Sequence, residues 1–252
     1  MSGHSKWKTN KGKKAAADAV KGATYTKIIK EITVAAREAG GNPDTNFKLR
    51  KIMDRAKEAN MPSDNVKMAI KRGTGELPGV IYESVRYEGF GPGGVAVMID
   101  AITDNKNRTA AEIRNIMSKK NGNLGGSVSW MFSMKGYISV NKSAAKEEEL
   151  MNIVLDAGAE DIKTTESDYE IYSAPQDLDK IKQALQAKGI KMETAEVTMV
   201  PSSTIKLNEG EAKQVLALIE GLEEHDDVQD VYDNSEIPDD ILEKIQAESN
   251  EE

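Results

Sequence analysis

The spacing of apolar residues changes at residues 76–79, and this change constrains the fold more than any other feature of the chain. Before it, apolar residues recur every three or four positions, as at Ile28, Ile32, Ala35 and Ala39, which is the pattern of an amphipathic helix. After it, short strand-like runs alternate with helical segments. The sequence Glu-Leu-Pro-Gly between them is predicted to be a linker. The fold is therefore predicted to be α+β, with a helical N-terminal domain followed by α/β structure.

Residues 1–75 are predicted to form a basic arm and a small helical domain. A first helix runs from Thr24 to the helix-breaking sequence Gly-Gly-Asn-Pro at residues 40–43. A second helix begins at about Thr45. Ser63 is predicted to be the N-cap of a third helix, which Gly73 ends.

Residues 134–204 are predicted to form a ferredoxin-like domain. The predicted order of elements is strand, helix, strand, strand, helix, strand, which defines that unit. Their ranges are 136–140, 145–157, 161–165, 169–173, 178–188 and 195–200.

The segments on either side of this unit are predicted to form one discontinuous α/β domain, residues 80–133 with 205–240. Strands at 82–87, 94–102 and 128–132 and a helix at 107–120 precede the unit, whereas only a helix at 210–222 and a strand at 228–232 follow it. Two elements are too few to stand alone, so they are predicted to complete the set before the insertion. Residues past Asp239 are expected to be frayed and solvated.

Charge is segregated along the chain. Residues 1–75 hold 17 Lys and Arg against 7 Asp and Glu, a balance of +10, and the remainder balances at −18, which gives the total of −8. A basic end on an acidic body favours contact with nucleic acid through that end. A lysine-rich tail that serves solubility and an acidic protein partner remain open as alternatives.

Candidate contact residues lie in the arm and on the second helix. Lysines of the arm would follow the phosphates, and Trp7 among them could stack on a base or pack as an anchor against the helical domain. Three cations of the second helix share a face by their spacing. The predicted nucleic-acid-binding residues are Lys6, Trp7, Lys8, Lys11, Lys13, Lys14, Lys48, Lys51 and Arg55.

The sequence offers little for catalysis. It has no cysteine and only two histidines, and no spacing typical of a metal site or of paired catalytic carboxylates is present. We therefore expect no enzyme activity, no metal, no cofactor and no small-molecule substrate. The carboxylates at residues 223–224 and 226–227 are interpreted as a solvated acidic run.

Three polar or glycine-rich motifs have structural and functional interpretations. Residues 89–94 match G-x-G-x-x-G but join two strands, so a turn is predicted and not a nucleotide site. Residues 121–127 are predicted to be a turn, with phosphate contact as the alternative. In residues 104–109, Asp104 or Asn105 is predicted to cap a helix; the alternative is that this polar cluster forms a functional surface.

No apolar run approaches 18 residues, and the first residues lack the apolar stretch of a signal peptide. We therefore expect a soluble cytoplasmic protein without a membrane partner. The sequence does not indicate an oligomeric state.

Several motifs in order resemble the YebC/PmpR family over essentially the whole chain. They are Gly-His-Ser-Lys-Trp at 3–7, Thr-Lys-Ile-Ile-Lys-Glu-Ile at 26–32, Tyr-Glu-Gly-Phe-Gly-Pro-Gly-Gly at 87–94, Asp-Asn-Lys-Asn-Arg-Thr at 104–109 and Gly-Asn-Leu-Gly at 122–125. The resemblance implies a helical domain and two α/β domains, the last inserted in the middle one. It implies no catalytic residues, and it places a nucleic-acid surface on the arm and the basic helical face.

Family members are described as probable transcriptional regulators that bind DNA, mitochondrial relatives act as translational activators of cytochrome c oxidase, and bacterial members are linked to ribosome function. The resemblance thus implies a DNA-binding transcriptional regulator, with a ribosome-associated translation factor that binds ribosomal RNA as the alternative. The sequence shows no helix-turn-helix and no base-reading set on one helix, so weak sequence specificity is expected.

Overall fold

The computed structural model describes residues 17–165 and 167–248, and three helices form its N-terminal part. They are α1 (Ala17–Ala39), α2 (Phe47–Glu58) and α3 (Ser63–Gly73). Their apolar faces meet in one core that includes Ile28, Ile32, Leu49 and Ile52. Gly73 allows α1 and α3 to touch, because a Cβ atom there would lie 2.5 Å from the Thr33 carbonyl oxygen.

The starts of all three helices differ from the sequence prediction, and α1 is already helical at Ala17, before the predicted start at Thr24. Asn46, and not Thr45, precedes α2, and its side chain accepts a hydrogen bond from the Leu49 amide at 3.0 Å. The Asn46 amide group also donates to the carbonyl oxygens of Ala35 and Gly40, so it fixes the turn after α1 as well. Ser63 is the first residue of α3 and not its N-cap, because Pro62 occupies the cap position.

A four-stranded antiparallel sheet forms the middle of the molecule. Its strands are β1 (Glu83–Phe90), β2 (Ala96–Thr103), β3 (Asn123–Leu124) and β9 (Val228–Asp233), in the order β3-β1-β2-β9. The helices α4 (Lys106–Lys119) and α7 (Glu209–Glu223) share its hydrophobic core. The predicted strand at 128–132 is wrong: residues Ser129–Met131 form a 3-10 turn, and the following strand begins at Phe132.

A second four-stranded sheet carries the ferredoxin-like order. Its elements are β4 (Phe132–Asn141), α5 (Glu147–Asp156), β5 (Ala159–Thr164), β6 (Asp168–Ser173), α6 (Leu178–Ala187) and β7 (Thr194–Pro201). The strand order β5-β6-β4-β7 places the first and third strands of the unit at the centre. Ile138 and Ile171 on those strands pack against Leu150 and Ile181 on the helices. The predicted order of elements is confirmed.

The chain then returns to the middle sheet through β8 (Ile205–Lys206), α7, β9 and β10 (Ser235–Glu236), with β8 and β10 paired in parallel. The middle sheet thus combines strands from before and after the ferredoxin-like unit, which is inserted in it as predicted. The exact boundaries at residues 75, 80, 133, 205 and 240 stay predictions.

Residues 239–248, within the segment that was expected to be frayed, are helical. This helix is α8 (Asp239–Glu248), and its Leu242 and Ile245 are buried in the core of the middle sheet. Apolar residues at three- and four-residue spacing among many acids explain this helix, because the acidic side chains face away from the core.

Candidate nucleic-acid interface

The predicted contact residues of the arm lie outside the residues that the structure describes. They are Lys6, Trp7, Lys8, Lys11, Lys13 and Lys14. Their role in binding stays a prediction from sequence.

The predicted basic face of α2 is present, but two of its three cations are paired with carboxylates. Lys48, Lys51 and Arg55 are all exposed. Lys48 Nζ lies 2.8 Å from Glu38 and Arg55 Nη1 lies 2.9 Å from Glu31, both on α1. Within the described ranges Lys51 forms no ion pair, so it is the member of this set that retains a free charge for a phosphate.

Phe47, which the sequence analysis did not select, lies beside Lys51 on the exposed side of α2. Its ring is 58% exposed, with Lys51 Nζ 4.8 Å and the Arg50 guanidinium carbon 5.6 Å from the ring centre. The sequence carried a signal for it, since Phe47 falls opposite the apolar stripe of Leu49 and Ile52. An exposed ring flanked by two cations can stack on a base while the cations meet phosphates.

Asp227 lies where α1 meets the middle sheet, in a network of hydrogen bonds and charges. Its Oδ1 atom is 2.6 Å from Lys30 Nζ, and its Oδ2 atom accepts from the Thr109 hydroxyl at 2.6 Å and lies 3.3 Å from Arg108 Nη2. Although burial opposes ionisation, the Lys30 ammonium and the Thr109 hydroxyl hold the pKa of Asp227 well below its ordinary value. The interpretation of residues 226–227 as a solvated run is therefore wrong for Asp227, whereas Asp226 is exposed.

The polar motif at residues 104–109 serves the same contact. Asn105 caps α4, as predicted, because its side chain accepts from the Arg108 amide at 3.1 Å. Arg108 also pairs with Asp104 at 2.7 Å, so its side chain links the start of α4 to Asp227. Because Lys30 of α1 binds the same Asp227 carboxylate, Arg108 lies in the network that joins the helical part to the middle sheet.

His225 and Glu112 extend this network. Potential ligand atoms of Glu112, His225 and Asp227 lie within 4.8 Å of one another, a grouping that the sequence could not indicate because its members are far apart in the chain. His225 Nδ1 accepts from the Asp227 amide at 3.1 Å, so the neutral ring carries its proton on Nε2, which lies 2.9 Å from Glu112 Oε2. Both ring nitrogens are thus engaged in hydrogen bonds, and Lys30 and Arg108 already offset the charge of Asp227.

The two glycine-rich motifs meet at β1 and β3. Gly89 is paired with Leu124 and Phe90 with Asn123. A Cβ atom on Gly89 would lie 2.4 Å from the Asn123 carbonyl oxygen, so this close approach requires glycine. The rest of the 89–94 motif turns the chain from β1 to β2 through a short 3-10 turn at Pro92–Gly94, as predicted, and Gly122 and Gly126 of the other motif lie against Phe90.

The Glu88 side chain binds the two backbone amides that follow the 121–127 loop. The backbone amides of Val128 and Ser129 donate to its carboxylate at 2.5 and 2.9 Å. Burial opposes ionisation of Glu88, but these amides and the Ser129 side chain lower its pKa below the ordinary value. Within the loop itself, the Gly122 and Gly125 amides donate to the Met117 and Glu88 carbonyl oxygens at 2.7 and 2.9 Å, so the structure favours a turn over a phosphate site.

Among residues 17–165 and 167–248, no helix combines the length and apolar content that crossing a bilayer requires.

Comparison with known proteins matches both parts of the chain to one family. A model described as the TACO1/YebC protein N-terminal domain matches residues 5–76, and one described as the TACO1/YebC second and third domain matches residues 82–235. Proteins of Endomicrobium trichonymphae and Syntrophus aciditrophicus, both named probable transcriptional regulatory protein, are 54% and 53% identical to this chain. Each alignment covers 98% of this chain and 100% of the relative.

A crystal structure of a conserved hypothetical protein from Aquifex aeolicus is similar in fold, with a TM-score of 0.75 and 46% identity. The match covers 90% of this chain and 94% of that one.

Proposed function

The chain belongs to the TACO1/YebC family, and from that premise we propose that it regulates gene expression by binding nucleic acid. Its relatives are named probable transcriptional regulatory proteins, which supports a regulator. We propose duplex DNA as the target, bound through phosphate contacts by the arm and by the exposed face of α2. The proposed action is binding in the cytoplasm and includes no catalytic step.

The observation that carries this proposal is the exposed basic face of α2 on the part of the chain that has a net charge of +10. Lys51 has no carboxylate partner among the described residues, and Arg50 lies beside it across the Phe47 ring. Lysine and arginine contacts to phosphates release counterions and provide affinity without sequence information. We therefore expect binding that depends on salt and discriminates little between sequences.

A translation factor that binds ribosomal RNA is the second candidate, and Phe47 favours it. A duplex hides its bases inside the stack, whereas RNA loops and bulges offer unpaired bases to exposed aromatic rings. The Phe47 ring between two cations suits such a base better than it suits a DNA backbone.

Lys51→Gln tests the proposal without disturbing an ion pair. The affinity of the full chain for a labelled duplex is measured by fluorescence anisotropy across a salt series. Loss of one phosphate contact should weaken binding several-fold and reduce the slope of log K against log salt by about 1. Lys188→Gln, which removes the same charge at an exposed position that also forms no ion pair among the described residues, is the matched control.

A companion variant with Lys6, Lys8, Lys11, Lys13 and Lys14 changed to Gln tests the arm. It should lose most of the duplex affinity and most of the salt dependence. Unchanged affinity in both this variant and Lys51→Gln would disprove the proposed surface. Tighter binding to an RNA hairpin with an unpaired loop than to the duplex, at equal salt, would select the second candidate.

A further inference from the structure

We propose that Trp130 and Phe90 form a second contact surface, a platform on which unpaired RNA bases stack. The platform lies on the middle part of the molecule, at the 121–127 loop, and is separate from the arm and from α2. The inference rests on the nucleic-acid binding of the proposed function, in its second candidate form of RNA binding, and it deepens that candidate by naming a second contact surface and unpaired RNA as its occupant.

Both rings are open to solvent. Trp130 is 75% exposed and Phe90 is 39% exposed, although large aromatic side chains normally contribute to the core. Met134, two residues into β4, is 59% exposed and extends the apolar surface on the same stretch of chain. The apolar residues that the core needs here, Val128 and Phe132, are buried on either side of Trp130. Trp130 is therefore not required to complete the core.

The short segment 126–130 holds both rings in place. Trp130 Nε1 donates to the Ser127 carbonyl oxygen at 3.0 Å, which fixes the indole edge and leaves the ring face free. The Phe90 ring lies against Gly126, where a Cβ atom would be 2.8 Å from its Cε2 atom. Glu88 in turn fixes the start of the 3-10 turn through the Val128 and Ser129 amides. A platform held in this way loses little conformational freedom when a base binds.

Charge beside the platform indicates a polyanion as its occupant. Lys119 and Lys120 precede the loop directly, are exposed, and form no ion pair with any residue in the described part of the chain. The Glu88 carboxylate, which lies at this turn, already accepts two backbone amides. Aromatic faces next to free lysines suit bases that stack while their phosphates meet the cations. A duplex hides those faces, so an unpaired RNA segment is the occupant that fits.

The two tryptophans of the chain make a direct test possible. In the Trp7→Phe variant, Trp130 is the sole tryptophan, so its fluorescence reports on this surface alone. Titration with single-stranded oligouridylate should quench this fluorescence strongly, and a duplex RNA of equal charge should quench it little. Equal quenching by both, or none by either while oligouridylate binds, would overturn the platform.

Affinity measurements separate stacking from charge. Trp130→Ala should weaken oligouridylate binding about tenfold without changing its salt dependence, because one stacked base is lost and no phosphate contact is lost. Trp130→Phe, which keeps a ring, should stay within about threefold of the parent. Leu155→Ala, on α5 and 49% exposed, is the control for removal of an exposed apolar side chain and should bind normally.

The outcomes distinguish this inference from the proposed function. If the parent chain binds RNA and Lys51→Gln weakens binding but Trp130→Ala does not, the platform is wrong and the proposed function stands. If the parent chain binds neither DNA nor RNA, the proposed function itself fails. Tighter binding to single-stranded DNA of matching sequence than to RNA would overturn the assignment of RNA as the occupant.

Discussion

Glu31 and Glu38 lie one heptad apart on α1, and each pairs with a cation of α2, yet their surroundings differ. The Glu38 side chain is 50% exposed, whereas that of Glu31 is 14% exposed. Burial raises the pKa of Glu31 above its ordinary value even though Arg55 acts to lower it, and Asp230 adds to the rise. The mostly buried carboxylate of Glu31 therefore needs Arg55 beside it, whereas the carboxylate of Glu38 is half exposed to water.

Arg55→Gln and Lys48→Gln should consequently differ in their effect on stability. Arg55→Gln should lower the free energy of unfolding by about 1 kcal/mol, because it leaves a mostly buried carboxylate without its cation. Lys48→Gln should change it by less than ~0.5 kcal/mol, as is usual for an exposed pair. Urea denaturation of the two variants measures both values, and equal losses would contradict the argument.

At the scale of single elements, α8 belongs to the core of the middle sheet and is not a solvated tail. Leu242→Ala should therefore destabilise the protein by about 2–4 kcal/mol, the usual cost of a cavity in a packed core. Glu243→Ala, at the exposed neighbouring position, should change stability by less than ~0.5 kcal/mol. Thermal and urea denaturation measure both. A small effect of Leu242→Ala would mean that α8 does not contribute to folding stability.

Periodicity predicted most elements correctly because each amphipathic helix or strand shows its own buried face in sequence. It failed where the deciding partner is remote. Val128, Trp130 and Phe132 alternate as in a strand, but the Glu88 carboxylate binds the local amides and a 3-10 turn forms. The exposed face of α2 was likewise predictable from spacing. The Asp227 network was not, because its cation comes from α1 and its hydroxyl from α4.

At the scale of the whole molecule, the segregated charges meet at the contact between α1 and the α7–β9 connection. Lys27 Nζ donates to the Glu223 carbonyl oxygen at 2.7 Å, and Lys30 Nζ donates to that of Asp226 at 2.9 Å and to the Asp227 carboxylate. Two lysines of the basic part thus dock on the acidic part through backbone oxygens and one buried carboxylate. This contact fixes where the basic face of α2 lies relative to the middle sheet and its aromatic platform.

Asp227→Asn should loosen that contact, with an effect that depends on pH. At neutral pH the variant should lose about 3 kcal/mol, because the Lys30 side chain, 9% exposed, is left without its buried counterion. Since the pKa of Asp227 is lowered in the folded protein, the stabilisation is complete above the ordinary value of 3.8 and is lost as the pH falls below it. The difference in unfolding free energy between parent and variant should hence be constant above about pH 5 and shrink below about pH 4.

Asp226→Asn is the matched control for this prediction, because Asp226 is exposed and contributes its backbone oxygen to Lys30 and not its carboxylate. It should retain the parent stability and the parent pH profile. Limited proteolysis within residues 74–82 provides a second measurement, since a loosened contact should speed cleavage of the connection between α3 and β1 in Asp227→Asn alone. A constant stability difference down to pH 3, or equal cleavage of both variants, would show that the Lys30–Asp227 pair does not hold the two parts together.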